Sequence, residues 1–263
     1  MRVLAWNILH GGGASRLPEI ALDVVEAKPD VVVLSEFRPG RGGQLRAVLA
    51  DQGLGHQVCS GTDPGRNAIL LASRWPVEPR GWGGAGGAGG EEMPEKLRPR
   101  LAAATVAHPA GAVEVLGVHI PDDSNPSGKA HVWQAVLEYA KPRAGGRTVI
   151  AGDTNSGRHG TDDPSGRLGC VTALGKLATM GYVDAWRARN PESRERTWSG
   201  PAWRGRTGSG PLIETARIDG IYVSGALAAS VSEAELRHAP RLGGHSDHSM
   251  VLVAMRLSCG KPA

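Results

Sequence analysis

The most constraining feature of the sequence is a series of short, uninterrupted apolar runs that recurs along the whole chain. We interpret the clearest of them as β-strands, at Val3–Trp6, Val31–Leu34, Ala68–Leu71, Ala102–Val106, Val113–Val118, Thr148–Ala151, Ile218–Val223 and Met250–Met255. Continuous apolar runs of this length are typical of strands that are covered on both faces. We therefore expect further layers on each side of the sheets.

Helical patterns separate some of these runs. They predict helices at Leu17–Ala27, Gln44–Gln52, Ala130–Ala140 and Leu168–Met180, with Pro18 in the first turn of the first helix. No helical pattern separates Ala102–Val106 from Val113–Val118, which indicates an antiparallel hairpin. Two mixed sheets packed face to face, with helices outside, fit this order best. We predict an α/β (α+β) fold, a four-layer α/β/β/α sandwich, with residues 1–263 as a single domain.

The composition excludes several classes of protein. Cys59, Cys170 and Cys259 are far apart and odd in number, so they predict neither a disulfide framework nor a zinc site. No apolar run approaches the ~20 residues that a membrane span requires. We therefore expect a cytoplasmic protein without a membrane partner. The sequence carries no signal for its oligomeric state, and we take a monomer as the default.

Charge and two unusual segments bear on the substrate. The formal net charge of +4 fits a polyanionic partner such as nucleic acid, although surface charge without a target would look the same. The segment Arg194–Arg217 contains arginines and tryptophans that could follow phosphates and stack on bases; alternatively it is a solvated connection. The glycine-rich segment Gly81–Gly90 predicts a flexible surface loop, or a mobile flap beside a substrate groove.

Polar side chains stand at the ends of several apolar runs. They are Asn7, Glu36, His119, Asp153, Asn155, Asp247 and His248, and Asp219 lies within the run RIDGIYV, where an ionisable group needs a partner. Each alone has a plain explanation, such as a strand terminus, a satisfied core histidine or an Asx turn. Together they supply hard oxygen ligands for Mg²⁺ or Mn²⁺, a carboxylate to activate water, and groups that stabilise developing charge. This combination suits metal-assisted cleavage of a phosphoester.

The same residues carry a resemblance to a known family. The segments LAWNI, LSEF, LLASRWPV, GVHIPDD, AGDTNS, TWS, RIDGIYVS and HSDHSMV follow one another from Val3 to Val251. In this order the chain resembles the endonuclease/exonuclease/phosphatase superfamily, with GDxN and SDH as its more specific motifs. The resemblance implies a divalent-metal-dependent phosphodiesterase in which an activated water attacks the phosphorus in line.

The resemblance also implies a role for each polar residue. Glu36 would be the principal ligand of Mg²⁺ or Mn²⁺, with Asn7 holding the metal or its waters and Asp247 as a further ligand. Asp153 would align or deprotonate the attacking water, and Asn155 would bind the scissile phosphate. His248 would contact that phosphate while Asp219 orients its ring and raises its pKa. Further substrate contacts are predicted at Arg66, Asn67, Trp198 and Arg217.

His119 departs from one branch of the superfamily. The branch that acts on abasic sites has a tyrosine here, whereas a histidine resembles the deoxyribonuclease I and phosphatase branches, in which it could protonate the leaving oxygen. The aromatic residue that precedes the RID segment in the abasic-site branch is also missing, since Thr215 and Ala216 stand there. His10 is left open, as a substrate contact or simply the start of a loop.

Three functions remain at this point. A nuclease acting on DNA or RNA agrees best with the motifs and the basic charge. A phosphatase or phosphodiesterase for a small soluble phosphoester, or less readily for a lipid, fits His119 equally well. A catalytically inactive binding module on the same fold is the third, and it is disfavoured because every expected ligand and acid–base position is filled.

Overall fold

The computed structural model describes residues 1–81, 94–199 and 214–258. Most of the segment Gly81–Gly90, the centre of the segment Arg194–Arg217 and Cys259 lie outside the described residues, so the interpretations of both segments stay predictions. Within the described ranges, no helix is long and apolar enough to span a membrane.

The described residues form strands and helices in a mixed order. The strands are β1 Arg2–Asn7, β2 Val31–Phe37, β3 His56–Cys59, β4 Ala68–Ser73, β5 Val77–Pro79, β6 Leu101–Val106, β7 Val113–His119, β8 Thr148–Asp153, β9 Val183–Asp184, β10 Trp198–Ser199, β11 Glu214–Ala216, β12 Asp219–Val223, β13 Val231–Arg237 and β14 Met250–Met255. The helices are α1 Gly13–Ala27, α2 Gly43–Asp51, α3 Pro126–Ala140, α4 Val171–Thr179, α5 Ala185–Arg189, α6 Gly225–Ala228 and α7 Ala239–Leu242.

Two six-stranded mixed sheets form the centre of the fold. Their strand orders are β13-β14-β1-β2-β4-β3 and β5-β6-β7-β8-β12-β9, while β10 and β11 pair separately. The pairs β1–β2 and β7–β8 are parallel. The predicted hairpin is confirmed, because all of β6 pairs antiparallel with the residues of β7 from Val113 to Val118. Each sheet thus contains one parallel pair whose carboxyl ends lie at the same edge.

Successive side chains of a strand point to opposite faces of the sheet, and both faces are buried, which explains why the apolar runs are continuous. Val3 and Ala5 belong to the core between the two sheets, whereas Leu4 and Trp6 belong to the core beneath α1 and α2. The outer face of the second sheet packs in the same way against α3 and α4. Every strand at the centre is therefore buried on both faces, and the predicted arrangement of two packed sheets flanked by helices is confirmed.

The differences from the predicted elements have local causes. The first helix begins at Gly13 rather than Leu17, which places Pro18 inside the helix instead of in its first turn. The fourth begins at Val171, because Cys170 adopts a left-handed conformation with φ 60°. The sequence interpretation missed β3, β5 and β13, which lie at or next to sheet edges and carry exposed or half-exposed residues rather than apolar runs.

Gly117 of β7 allows a close approach between the sheets. A Cβ atom at this position would lie 2.9 Å from Ile69 Cγ2 and 3.0 Å from Val33 Cγ1, both on the opposite sheet. We expect Gly117→Ala to lower the free energy of unfolding by about 1–3 kcal/mol, because it overpacks this inner layer. Urea denaturation measures the effect.

A matched control is Gly175→Ala in α4, where an added Cβ has no neighbour within 4 Å. That variant should be neutral or more stable by about 0.5–1 kcal/mol, since alanine favours the helix. An unchanged urea midpoint for Gly117→Ala would show that the inner layer can expand without cost.

Candidate active site

The strand register brings the polar strand ends together. In the first sheet Asn7 lies opposite Ser35, directly before Glu36. In the second sheet Asp153 pairs with His119 on one side and with Asp219 on the other. Because the sheets face each other, these ends meet in one pocket of about 630 Å³. Its walls include Asn7, His10, Glu36, Asn67, Arg100, His119, Asp122, Asp123, Asp153, Asn155, Trp198, Asp247 and His248.

Asn7 connects the two sheets through its side chain. Its Nδ2 donates to Oδ2 of Asp153 at 2.9 Å and to Oε1 of Glu36 at 3.3 Å, while its Oδ1 accepts from the backbone N–H of Leu9 at 3.0 Å. One amide therefore holds two carboxylates from opposite sheets in fixed positions.

Glu36 is kept ionised by its neighbours. Oε2 accepts from the backbone N–H of His10 at 2.7 Å, and Nδ1 of the same histidine lies 2.8 Å away. Burial by itself raises the pKa of Glu36, but the side-chain and backbone hydrogen bonds from His10, together with the charge of its imidazole, outweigh it and hold the pKa well below its usual range. His10, left open by the sequence, thus lies against this carboxylate, whose hydrogen bond raises the pKa of the imidazole.

Asp153 is the most buried carboxylate that faces the pocket, with 1% exposure. Its Oδ1 accepts from the backbone N–H of Asn155 at 2.9 Å, and its Oδ2 accepts from Nδ2 of Asn155 at 3.3 Å as well as from Asn7. Burial raises the pKa of Asp153, and the nearby Asp219 adds to this effect although the positive charge of His248 opposes it. A carboxylate in these surroundings is suited to take up a proton.

His248 and Asp219 form a buried pair. Nδ1 of His248 lies 2.8 Å from Oδ2 of Asp219, and Nε2 points towards Oδ2 of Asp153 at 3.9 Å. Burial alone lowers the pKa of this histidine, but the carboxylates of Asp219 and Asp153 outweigh it and raise the pKa above its usual range. The imidazole is therefore positively charged at neutral pH, with Nε2–H free to face a phosphate oxygen.

The chemistry of the donor set fits a divalent cation. Oδ1 of Asp247 is buried and has no hydrogen-bond partner among the described residues, while Oδ2 accepts from Nε1 of Trp198 at 3.3 Å. A buried carboxylate oxygen without a partner needs a compensating cation or water. Asp247 shares the pocket with ionised Glu36, so two hard oxygen donors are available. Asp153, Asp219 and His248 also lie close enough together to hold a metal ion, but Nδ1 of His248 is already engaged by Asp219.

The surroundings of His119 differ from those of His248. The ring is buried, and Nη1 of Arg100 lies 3.2 and 3.3 Å from its two nitrogens. Burial lowers the pKa of His119 to about 4, Glu36 opposes this effect and Arg100 adds to it. His119 is therefore neutral at neutral pH, which does not favour the general-acid role suggested by the resemblance; that role stays a prediction.

The structure places three of the four predicted substrate contacts at or beside the pocket and buries the fourth. Asn67 and Trp198 line the pocket, and exposed Arg66 lies in a neighbouring pocket of about 430 Å³ that also includes Asn67. The prediction for Arg217 is wrong. Its side chain is 3% exposed and binds Asp162 at 2.8 Å and Asp184 at 2.6 Å, because a buried guanidinium requires carboxylate partners.

The sequence interpretation also missed residues at the site. Arg100 directly precedes the apolar run of β6 and could have been found as another polar residue at a strand end. Asp122 and Asp123 follow His119 within a quoted motif and line the pocket wall. Lys129 gave no signal, since it lies just before the predicted helix Ala130–Ala140 and at the end of no apolar run, yet it is completely buried behind the pocket.

Comparisons with known structures identify the fold. An AP endonuclease from Archaeoglobus fulgidus superposes with a TM-score of 0.76 at 22% identity, over 97% of this chain and 99% of that chain. A 3′-5′ exonuclease from Neisseria meningitidis gives 0.74 at 24% identity, and a 3′ phosphatase from Neisseria bound to a product DNA hairpin gives 0.73 at 24%, both with the same coverage.

Comparisons at the level of sequence identify the family. No curated protein matches this chain significantly. A sequence profile of the family described as Endonuclease/Exonuclease/phosphatase matches residues 4–248, nearly the whole chain. The chain belongs to the Endonuclease/Exonuclease/phosphatase family, whose members hydrolyse phosphoester bonds with the help of a divalent metal ion.

Proposed function

We propose that this chain is a phosphodiesterase that uses Mg²⁺ or Mn²⁺ to hydrolyse nucleic acid, and that it acts as a single-domain monomer. The observation that carries the proposal is the convergence of ionised Glu36, proton-accepting Asp153 and positively charged His248 on one pocket. These three groups supply a cation site, a base for water and a cationic hydrogen-bond donor for phosphate.

Glu36 and Asp247 would hold the cation, with Asn7 beside them. When bound, the cation supplies positive charge to the phosphate oxygens and to the leaving group. Oδ2 of Asp153 accepts the proton of the attacking water, and Asn7 and Asn155 keep that carboxylate in position.

The chain's own positive charge stabilises the attacked phosphate. Nε2–H of His248 donates to a phosphate oxygen, and Asp219 keeps this imidazole charged. Nδ2 of Asn155 donates to the backbone oxygen of Ile120 at 2.9 Å and to Oδ2 of Asp153 at 3.3 Å. To bind the phosphate as predicted, Nδ2 would give up the longer bond, to Asp153, and donate to a phosphate oxygen instead.

Two observations support a nucleic-acid substrate. Two arginines lie beside Asn67 at one wall of the pocket: Nε of Arg38 donates to Oδ1 of Asn67 at 2.8 Å, and Arg66 lines a neighbouring pocket that shares Asn67. The similar structures described above include an AP endonuclease, a 3′-5′ exonuclease and a phosphatase bound to DNA. A chain of phosphates could therefore leave the pocket on its arginine side.

One observation favours the second candidate, a small soluble phosphoester. Asp122 lines the pocket, and its carboxylate would repel further phosphates on that side. A substrate with a single phosphoester group avoids this repulsion.

A substrate panel distinguishes the two candidates. We expect turnover of plasmid DNA, abasic duplex or RNA to exceed that of soluble phosphoesters, and binding of the polynucleotide to weaken linearly with the logarithm of salt concentration. Arg66→Ser should weaken polynucleotide binding and leave a soluble phosphoester unaffected. Equal turnover of all substrates, without binding of nucleic acid at low salt, would favour the small phosphoester.

Asp153→Asn tests the base. The amide cannot take up the proton of water, so we expect kcat to fall by about 10²–10⁴-fold while the fold is retained. Initial rates on the best substrate of the panel measure the loss. Asp51→Asn, an exposed carboxylate at the end of α2, is the matched control and should retain full activity. Undiminished activity of Asp153→Asn would assign the base to another group.

Cation binding can be measured without turnover. Mg²⁺ or Mn²⁺ should raise the Tm of the wild-type chain, because a ligand that binds only the folded state stabilises it. Glu36→Gln should abolish this increase, whereas Glu78→Gln, at an exposed position of β5, should preserve it. Chelation should remove activity and added metal should restore it; full activity in excess chelator would contradict the assigned cation.

The role of Asp219 predicts a change in the pH profile. His248 must be protonated to donate to phosphate, so activity is lost as pH rises through the pKa of its imidazole. Asp219→Asn removes a charge that raises this pKa, and the alkaline fall in kcat/KM should therefore move to lower pH. An alkaline limb at the wild-type position would show that His248 does not control it.

A further inference from the structure

Helix α3 supports the loop that follows β8. Lys129 and Trp133 are one helical turn apart and fully buried, and they contact consecutive residues of that loop. Nζ of Lys129 donates to the backbone oxygen of Asn155 at 2.6 Å, and Nε1 of Trp133 donates to Oγ of Ser156 at 3.1 Å. Two neighbouring positions on one helix face thus fix two successive residues beside the pocket.

The ammonium group of Lys129 is balanced by one carboxylate. Its Nζ also donates to Oδ1 of Asp123 at 2.7 Å, while the side chain of Lys129 is 0% exposed. The carboxylate of Asp123 accepts in addition from the backbone N–H of Gly169 at 3.1 and 3.2 Å. This ion pair therefore joins α3, the pocket wall at Asp123 and the segment that leads to α4.

Asn155 needs such support because of its backbone. Its φ is 44°, in the left-handed region, which costs a non-glycine residue free energy unless the surroundings fix it. In this conformation its backbone N–H and its Nδ2 both face the carboxylate of Asp153. Holding the carbonyl of Asn155 thus helps to fix two of the groups that orient Asp153, and Asn7 supplies the third.

We propose that Lys129, through the carbonyl of Asn155 and paired with Asp123, is a positioning residue for the carboxylate of Asp153. The proposal rests on the proposed function, in which Asp153 acts on water. An apolar side chain of similar length would fill the same space without the cost of burying a charge. The contribution of the ammonium group is its hydrogen bond to Asn155, which an apolar chain cannot make.

Lys129→Met removes this bond and keeps most of the volume. We expect kcat to fall about tenfold or more, with KM within about twofold of the wild-type value, since a displaced base slows the reaction without removing substrate contacts. In a double-mutant cycle the change should be non-additive with Asn155→Ala, because Asn155→Ala removes the Nδ2 contact to Asp153 and Lys129→Met loosens the residue that makes this contact. An additive cycle, or an unchanged kcat, would overturn the proposal.

Arg143→Met is the matched control. Arg143 is also a buried cation, and its Nε binds Glu114 at 2.6 Å. Glu114 lies near the start of β7, at the end of the strand away from His119. This variant should lose stability and keep the wild-type kcat. If Lys129→Met fails to fold, Asp123→Asn carries the same test, because it removes the charge that holds the ammonium group and is itself half-exposed.

Hydrogen exchange of the Asn155 amide provides a readout that needs no activity. This N–H donates to Oδ1 of Asp153 at 2.9 Å, so its exchange should be about tenfold faster or more in Lys129→Met and unchanged in Arg143→Met. If the wild-type chain hydrolysed no phosphoester, the proposed function would fail and exchange would still decide the inference. Wild-type protection of Asn155 in Lys129→Met would overturn it.

Discussion

The site depends on the short distance between two parallel strand pairs. One pair is β1–β2 in the first sheet, and the other is β7–β8 in the second. The layer between them consists largely of valine and alanine, and Gly117 leaves room for Val33 and Ile69 of the opposite sheet. Only this short separation lets the amide of Asn7 reach Asp153 at 2.9 Å. In the proposed mechanism this hydrogen bond joins a residue beside the cation to the carboxylate that would activate water, so core packing sets the distance between these two groups.

Two carboxylates bound to the same amide have pKa values that are shifted in opposite directions. The pKa of Glu36 is lowered, because the hydrogen bonds and charges of His10 outweigh burial, whereas burial raises the pKa of Asp153. This divergence agrees with the roles proposed above, in which Glu36 remains an anion that holds the cation and Asp153 accepts a proton. The two histidines diverge in the same way, since His248 is kept charged by Asp219 and His119 is kept neutral by burial beside Arg100.

The residues that could be predicted from the sequence share one property, their position at the end of an apolar strand. Asn7, Glu36 and Asp153 were found on that basis, and the register of parallel strands explains why they meet. Arg217 shows the limit of this reasoning. Its motif suggested a substrate contact, but the guanidinium balances Asp162 and Asp184 in the interior. Whether a charged side chain faces substrate or another buried charge depends on contacts between distant segments, which local sequence does not contain.

The sequence by itself determined the apolar runs, their hairpin and helical connections, and the chemical types gathered at the strand ends, because these follow from local periodicity and residue chemistry. Only the tertiary structure decided that His119 is neutral, that His10 binds Glu36, and that Lys129 is buried behind Asn155. Protonation and orientation depend on desolvation and on charges a few ångströms away. Those neighbours come from elements far apart in the chain, so only folding creates them.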